Sequence, residues 1–256
     1  MTIIQSLILG IVQGITEFLP VSSSGHLVIF EALLGMQQTG IFFEVLLHTA
    51  TLGVVVVFFF PVLRKLTVAK VTLLILGTLP AAVIGILFKS TIESLFDSVA
   101  LVALGLLVTA GINLGIAYYL RREQDAPITW KRALLIGALQ AIAITPGISR
   151  SGSTIFAGLQ SGLSRQQAFE FSFLLSIPAI GGAMLLEVIT VGQAGMVPPP
   201  LASMMIGFLA AFFTGLASLV LLKKLLVTDR FSLFSWYTAG LAVVALGFEL
   251  IRTYRG

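Results

Sequence analysis

The sequence predicts an all-α polytopic membrane protein with six transmembrane helices, two re-entrant helical hairpins and an inverted-topology repeat. Three observations support this prediction: the low charge content, the length of the apolar segments and the likeness of two polar breaks. Apolar residues make up 57% of the 256 residues and charged residues only 10%, whereas soluble domains carry about 25% charged residues. A soluble enzyme, a disordered chain and a disulfide-stapled secreted domain are therefore excluded, and the bilayer remains as the solvent.

Six apolar segments are long enough to cross a bilayer as helices. A helix of about 20 residues spans the roughly 30 Å hydrocarbon core, whereas a β-barrel would show alternating segments of roughly ten residues. The apolar runs here are long and unbroken, which favours helices. The six predicted spans are approximately 41–63, 71–88, 98–120, 167–191, 201–222 and 231–251.

Two shorter apolar stretches, about 3–18 and 133–145, each end in a break rich in Pro, Ser and Gly. The first break reads FLPVSSSGHLVIF over 18–30, and the second reads TPGISRSGSTIF over 145–156. Non-helical backbone at membrane depth is tolerated only where protein or a water-filled cavity surrounds it. A short helix, a polar break and another short helix therefore predict a re-entrant hairpin at each place.

The two breaks are related by a shift of 127 residues. Each copy has a hairpin followed by three spans, which predicts a single integral membrane domain over 1–256 with internal repeats of about 1–127 and 128–256. Because three spans is an odd number, the second copy is inserted upside down, as in many transporters whose sites lie at the repeat interface. The aligned identities are Gln13 with Gln140, Ile15 with Ile142, Ser22 with Ser149, Ser24 with Ser151, and Gly25 with Gly152.

The distribution of basic residues predicts the orientation in the membrane. The loops 64–70, 121–132 and 223–230, together with Arg165, hold eleven Lys and Arg residues, against three on the other side. Cytoplasmic loops carry the excess of basic residues, so these loops are expected inside. The first hairpin then enters from outside and the second from inside, with their tips meeting near the middle. This pattern also explains the net charge of +4, and no nucleic acid partner is expected.

The first hairpin contains ionisable and hydroxyl side chains that are candidates for chemistry. Glu17 follows Gln13 by four residues, so both face one side of a helix. A carboxylate inside the membrane is a functional candidate, although a Glu that reaches the interface is the alternative. The serines of 22–24 open the second helix, where they either cap it or bind an anion. His26 beside them can act as acid, base or nucleophile.

The second hairpin supplies a counter-charge. Arg150 is the only basic residue between Arg132 and Arg165, and hydroxyl side chains surround it. Its planar guanidinium matches phosphate with two hydrogen bonds. The alternative is a structural ion pair with Glu17. Phosphate binding and ion pairing are compatible if the pair stabilises the site while no ligand is bound. This set of groups suits a phosphorylated amphiphile, and one carboxylate plus phosphate oxygens also holds Mg²⁺ or Ca²⁺.

Polar residues of the later spans are less informative. Glu44 and His48 lie one turn apart in the first span, and Glu170 occupies nearly the related place in the second repeat. These side chains could support the site from behind or pair with hairpin backbone.

Two long motifs resemble those of a known family. The segment QGITEFLPVSSSGH over 13–26 resembles the (E/Q)xxxE and PVSSxGH motif of the bacterial undecaprenyl-diphosphate phosphatases, the bacitracin-resistance family. The segment PGISRSGST over 146–154 resembles the family's PGxSRSGxT motif. Both occur in the family order, and the resemblance covers the whole chain.

The resemblance implies an enzyme of the bacterial plasma (inner) membrane that hydrolyses undecaprenyl diphosphate to undecaprenyl phosphate. This reaction recycles the carrier lipid of peptidoglycan synthesis, and with it cell wall biogenesis, cell shape and bacitracin resistance. It also implies a divalent cation, Mg²⁺ or Ca²⁺, and a site open toward the outer face. The implied residues are Glu17, Ser23, His26 and Arg150 for catalysis, Ser22, Ser24, Gly25, Ser149, Arg150, Ser151, Gly152 and Thr154 for diphosphate binding, and Glu17 with Gln13 for the metal.

Several alternatives remain open at this point. Gln13 stands where other members have Glu, and a neutral amide binds a cation more weakly. The attacking group is either water activated by Glu17, or Ser23, or His26. A lipid-phosphate transporter would use the same inverted repeat and need Arg150, but not Glu17 with His26. A non-catalytic lipid-binding subunit is a third possibility. The expected partners are the bilayer and a polyprenyl diphosphate lipid, and a homodimer is compatible with the sequence.

Overall fold

Helices are the only regular elements over residues 1–36, 41–122, 124–194 and 199–255, which the computed structural model describes. The predicted all-α class is therefore confirmed for this part of the chain. A 3₁₀ turn at Asp229–Phe231 precedes the last helix. The helices are α1 Ile3–Phe18, α2 Ser23–Leu33, α3 Ile41–Phe58, α4 Phe60–Leu63, α5 Val68–Leu87, α6 Lys89–Phe96, α7 Val99–Tyr119, α8 Trp130–Ile142, α9 Arg150–Gln160, α10 Arg165–Ala194, α11 Leu201–Leu225 and α12 Ser232–Arg255.

Five of the described helices, α5, α7, α10, α11 and α12, are long and apolar enough to cross a membrane. The predicted span 41–63 is instead divided, because α3 ends at Phe58 and α4 begins at Phe60. Pro61 explains the division, since it has no backbone N–H to donate and its ring clashes with the preceding turn. A second difference is α6, a short helix after α5 that the hydropathy pattern did not predict.

Apolar side chains cover the outside of the bundle, and polar side chains lie inside it. Leu87 and Phe213 are more than 60% exposed, whereas Gln13 and Asn113 are fully buried. Such an arrangement is the reverse of a water-soluble domain, where buried polar groups are the exception. The exposed apolar surface therefore fits a lipid environment, and the buried polar groups mark where the interior needs specific contacts.

Two helix pairs cross at glycines in the same manner. α1 packs on α11 and α8 packs on α5. A Cβ added to Gly10 of α1 would lie 2.4 Å from the carbonyl oxygen of Gly207, and one added to Gly137 of α8 would lie 2.2 Å from that of Gly77. Positions 10 and 137 are separated by the predicted repeat shift. Both short helices of the hairpins are thus held against a long helix by direct backbone contact.

An aromatic cluster fixes the end of α1. Phe18 is fully buried and its ring lies 5.7 Å from that of Phe173 on α10. Phe59 and Phe169 complete the cluster, with the Phe169 and Phe173 rings 4.9 Å apart. Because the backbone of Phe18 is held by this packing, the preceding Glu17 has a defined position.

Candidate active site

The breaks of the two hairpins lie against each other, and serine caps the second helix of each hairpin. Ser22 accepts a hydrogen bond from the N–H of Gly25 at 3.3 Å, and Ser149 accepts one from the N–H of Gly152 at 3.1 Å. Ser22 has a φ of 70°, a conformation that costs non-glycine residues of order 1–3 kcal/mol and is found at functional sites. The capping alternative for the serines of 22–24 is thus present at Ser22, and Ser149 caps its helix in the same way.

Helix α7 holds both breaks through two buried polar side chains. Thr109 Oγ1 donates to the carbonyl of Gly147 at 2.7 Å and accepts from the N–H of Ser149 at 2.9 Å. Asn113 Nδ2 donates to the carbonyl of Pro20 at 2.7 Å. The sequence analysis did not single out these residues, although a Thr and an Asn four positions apart inside an apolar span were the available signal.

Glu17 stands at the centre of the site, where the two hairpins meet. Its Oε1 accepts a hydrogen bond from Arg150 Nη2 at 2.8 Å. Its Oε2 accepts one from Ser23 Oγ at 2.6 Å and one from Gln13 Nε2 at 3.2 Å. Four of the predicted site residues are therefore in direct contact. The opposite charges of Glu17 and Arg150 offset the cost of burying each of them.

His48 of α3 also contacts this cluster. Its Nδ1 lies 3.1 Å from Gln13 Nε2 and 3.8 Å from Glu17 Oε2. The sequence left two roles open for His48 and Glu170. His48 lies beside the site, whereas Glu170 pairs with Lys70 Nζ at 2.7 Å near the start of α10.

His26 faces a different neighbour. Its Nδ1 is 2.7 Å from the carbonyl oxygen of Ser22, so this nitrogen donates. Its Nε2 is 2.8 Å from the hydroxyl of Tyr237 on α12, and the two rings stack with centroids 5.6 Å apart. The structure therefore does not bring His26 into contact with Glu17, and it adds Tyr237, which the sequence analysis missed. The catalytic role of His26 stays a prediction.

A cavity of about 540 Å³ opens above the Glu17 cluster. Its polar floor comes from the hairpin breaks and their neighbours. Its walls are apolar side chains of α5, α6 and α10 and of the segment 143–148 after α8. A polar floor below apolar walls fits the headgroup and the first chain atoms of an amphiphile. The polar residues of the floor are Glu17, Ser22, Ser23, Ser24, His48, Gln140, Ser149 and Arg150.

Four of the predicted diphosphate ligands lie behind this floor. Ser151 Oγ donates to the carbonyl of Leu19 at 3.4 Å, and Thr154 Oγ1 lies 2.5 Å from Ser172 Oγ. Gly25 and Gly152 fill the contact between the breaks, where an added Cβ would meet the other hairpin at 3.3 Å. Ser151, Gly25 and Gly152 thus join the hairpins, whereas Thr154 joins α9 to α10. The role of all four as phosphate ligands stays a prediction.

The oxygen atoms around Glu17 meet part of what a divalent cation needs. Over the described residues, no group of three or more His, Cys, Asp or Glu side chains is placed to hold a metal. Gln13 Oε1, however, is buried with no hydrogen-bond partner in this part of the chain, next to the Glu17 carboxylate. Mg²⁺ is usually held by one or two carboxylates, water and substrate phosphates. The residues therefore fit a cation that binds together with a phosphate, not a preformed cage.

Comparison with known proteins gives a consistent family. The sequence model described as "Bacitracin resistance protein BacA" matches residues 6–244. The chain is 39% identical to the undecaprenyl-diphosphatase of Thermosipho africanus, over 93% of this chain and 97% of that protein. It is 38% identical to the undecaprenyl-diphosphatase of Korarchaeum cryptofilum, over 96% and 100%. It is also 38% identical to undecaprenyl-diphosphatase 3 of Bacillus cereus, over 98% and 99%.

Proposed function

Because the chain belongs to the bacitracin resistance protein BacA family, we propose that it is an undecaprenyl-diphosphatase of the membrane. It hydrolyses undecaprenyl diphosphate to undecaprenyl phosphate and inorganic phosphate, and so returns the carrier lipid to peptidoglycan synthesis. The observation that supports this function most directly is the contact of Glu17 with both Ser23 and Arg150 on the floor of a cavity with apolar walls.

In the membrane, we propose that α1–α2 and α8–α9 are re-entrant hairpins and that α3 completes a set of six spans. The two repeats then have inverted topology, with the site at their interface. The paired glycine crossings of α1 with α11 and of α8 with α5 support this arrangement, because an inverted repeat exchanges these two pairs.

The cavity opens, in this proposal, toward the outer face of the bacterial plasma membrane. Lys89 and Glu93 of α6 line it, and the basic-residue count places 89–97 outside. Single cysteines can test this orientation, since the chain has none of its own. A cysteine at position 91 should react with an impermeant thiol reagent in intact cells and one at position 125 should not. The reverse labelling pattern would contradict an outward-facing site.

Arg150 binds the diphosphate and stabilises the charge that develops on it. One guanidinium nitrogen, Nη2, contacts Glu17, while Nη1 is buried with no partner in the described part of the chain. The free nitrogen is therefore available to a phosphate oxygen. In phosphoryl transfer, negative charge spreads over the oxygens, so positioning and fixed positive charge dominate catalysis.

Ser23 is the attacking group that the geometry favours. Its Oγ donates to Glu17 Oε2 at 2.6 Å, the arrangement of a nucleophile and its base. Glu17 takes the hydroxyl proton while Oγ bonds to the outer phosphorus. The bond from that phosphorus to the bridging oxygen breaks, and undecaprenyl phosphate leaves with the electron pair and the proton from Glu17. Water then gives a proton to Glu17 as its oxygen bonds to the phosphorus of the phosphoserine. The bond from that phosphorus to Ser23 Oγ breaks, Glu17 passes the proton to Oγ, and phosphate leaves.

A divalent cation fits beside these groups. Glu17 and Gln13 Oε1 would hold it together with phosphate oxygens, where it would supply further positive charge to the transferring group. Loss of activity in chelator, restored by Mg²⁺ or Ca²⁺, is the expected result, and full activity in excess EDTA would remove the cation from the proposal.

The experiment that tests the function is phosphate release by purified protein. Wild type should release phosphate from undecaprenyl diphosphate, and an acid-stable phosphoenzyme should form on rapid quench. Ser23→Ala should lose both signals, while Ser94→Ala on the exposed side of α6 should keep them. If the phosphoenzyme is instead acid-labile and is lost in His26→Ala, the nucleophile is His26 and not Ser23. Activity without any phosphoenzyme would favour direct attack by water.

A lipid-phosphate transporter would depend on different residues of the site. A carrier requires Arg150 and the serine caps, but it has no need of a hydroxyl held on a carboxylate. Movement of lipid phosphate across vesicles by a wild type that releases no phosphate would overturn the phosphatase proposal.

A further inference from the structure

Gln140, in the last turn of α8, is a buried carboxamide that lines the cavity without a partner. It is 2% exposed and contributes to the cavity floor. Neither its Nε2 nor its Oε1 has a hydrogen-bond partner over the described residues. Buried polar groups are almost always hydrogen-bonded, and an unsatisfied one calls for an explanation. A ligand in the cavity would provide one.

The repeat shows why this carboxamide lacks a partner. Gln13, its counterpart, donates to Glu17 four residues later on the same helix face. The position that corresponds to Glu17 in the second repeat is occupied by Ile144. The second repeat has therefore kept the amide and lost its acceptor, and Gln140 lines the cavity, whereas Gln13 is not among its lining residues.

The surroundings of Gln140 indicate what the ligand is. Arg150 Nη1, a donor on the same cavity, is also buried without a partner in the part of the chain described, so two unused donors are available to an anion. Ala143 and Ile144, three and four residues later and just past the end of α8, are apolar lining residues. Gln140 thus lies where the polar floor meets the apolar wall. In a bound lipid diphosphate, the phosphate next to the prenyl chain belongs at that boundary.

We propose that Gln140 binds the inner phosphate, the one that stays on the lipid, through a hydrogen bond from Nε2. The amide oxygen is left to accept from a protonated phosphate oxygen. A neutral amide suits this task, because it positions the leaving group without adding charge that would hold the product. The inference rests on the proposed phosphatase function and makes Gln140 a specificity residue for the lipid phosphate.

The test is Gln140→Leu, a change that removes the hydrogen bond at similar size. Losing a hydrogen bond to a charged phosphate should raise KM for undecaprenyl diphosphate about 10- to 100-fold. Product inhibition by undecaprenyl phosphate should weaken by a similar factor, and inhibition by inorganic phosphate should not change. An unchanged KM would overturn the proposal, as would weaker inhibition by inorganic phosphate alone, which would place Gln140 at the outer phosphate.

Stability separates this role from a structural one. Removing an unpartnered buried amide should leave the melting temperature of the lipid-free protein unchanged or raise it. A lower melting temperature with a wild-type KM and wild-type inhibition by undecaprenyl phosphate would make Gln140 structural. Gln160→Leu is the matched control, since Gln160 is exposed at the end of α9, and it should keep wild-type kinetics.

A measurement of lipid binding without turnover tests the role of Gln140 separately from the proposed phosphatase function. Thermal stabilisation by undecaprenyl diphosphate and undecaprenyl phosphate can be measured for each variant in EDTA. A wild type that releases no phosphate would contradict the proposed function. Equal stabilisation of wild type and Gln140→Leu by both lipids would contradict the role of Gln140, whatever the activity.

Discussion

The two hairpins share a backbone design but differ in chemistry. In both, a short helix ends at a polar break and a serine caps the next helix, Ser22 in the first and Ser149 in the second. The side chains between these common points have diverged: Ser23 in the first hairpin corresponds to Arg150 in the second, and His26 corresponds to Ser153.

The charges are distributed so that neither hairpin holds both of them. The carboxylate of Glu17 belongs to the first hairpin and has Ile144 as its counterpart, while the guanidinium of Arg150 belongs to the second. Their hydrogen bond joins the hairpins. The two hairpins thus supply a matching framework, and the site arises from the side chains in which they differ.

The largest effect is expected from Glu17→Gln, which removes the negative charge of a carboxylate that has no counterpart in the second hairpin. If Glu17 is the base for Ser23, kcat should fall about 10²- to 10⁴-fold, measured as phosphate release from undecaprenyl diphosphate. Asp125→Asn makes the same change of charge on an exposed loop and should leave kcat unaltered.

Folding must be checked for this variant, because it leaves Arg150 without its anion. Thermal stabilisation by lipid diphosphate should persist in Glu17→Gln. A variant that binds and keeps more than roughly a tenth of wild-type kcat would show that Glu17 is not a positioned acid–base group.

Arg150→Lys tests the second hairpin with a smaller expected effect. The positive charge is kept, but a point charge replaces the planar fork that contacts Glu17 and phosphate together. We expect about 2 kcal/mol of lost transition-state stabilisation, or about a 30-fold lower kcat/KM. Arg121→Lys on the exposed loop after α7 is the control. Wild-type kinetics in Arg150→Lys would mean that the arginine only holds the hairpins together.

Alanine substitutions at the glycine crossings test whether the two hairpins are held in the same way. Of the changes considered, they should affect turnover least. Gly10→Ala and Gly137→Ala each place a Cβ against a backbone carbonyl, so each should cost about 1–3 kcal/mol of folding stability. Gly111→Ala on α7 meets no atom within 4 Å and should be neutral or stabilising. Thermal unfolding in detergent measures all three. A large loss at one crossing only would show that the hairpins are not held alike.

Local sequence patterns predicted the two helix–break–helix segments well and long-range contacts poorly. The breaks at 18–30 and 145–156 contain proline, serine caps and a charge, so both hairpins and the Glu17–Arg150 pair could be anticipated. The partners of the two histidines could not. His26 is nearest to the serines in sequence, yet its ring reaches Tyr237, 211 positions away, because the packing of α2 beside α12 decides the contact. His48 reaches the site through the packing of α3.

The missed elements have similar physical causes. Hydropathy averages over a window, so it passes over Pro61, which divides the predicted span 41–63, and over the short helix α6. The same averaging hides Thr109 and Asn113, which are single polar residues in an apolar helix. Their importance appears only when both breaks are seen to lie against α7.

The distance along the chain between Glu17 and Arg150 bears on how the protein is made. The two residues are 133 positions apart, and a ribosome adds about 5–20 residues per second, so roughly 7–27 s separate their synthesis. Throughout that interval the nascent chain carries the carboxylate without its guanidinium, and a lone charge at membrane depth is costly. We therefore expect the first hairpin to wait near the membrane surface and to reach its final depth only after the second half of the chain has been inserted.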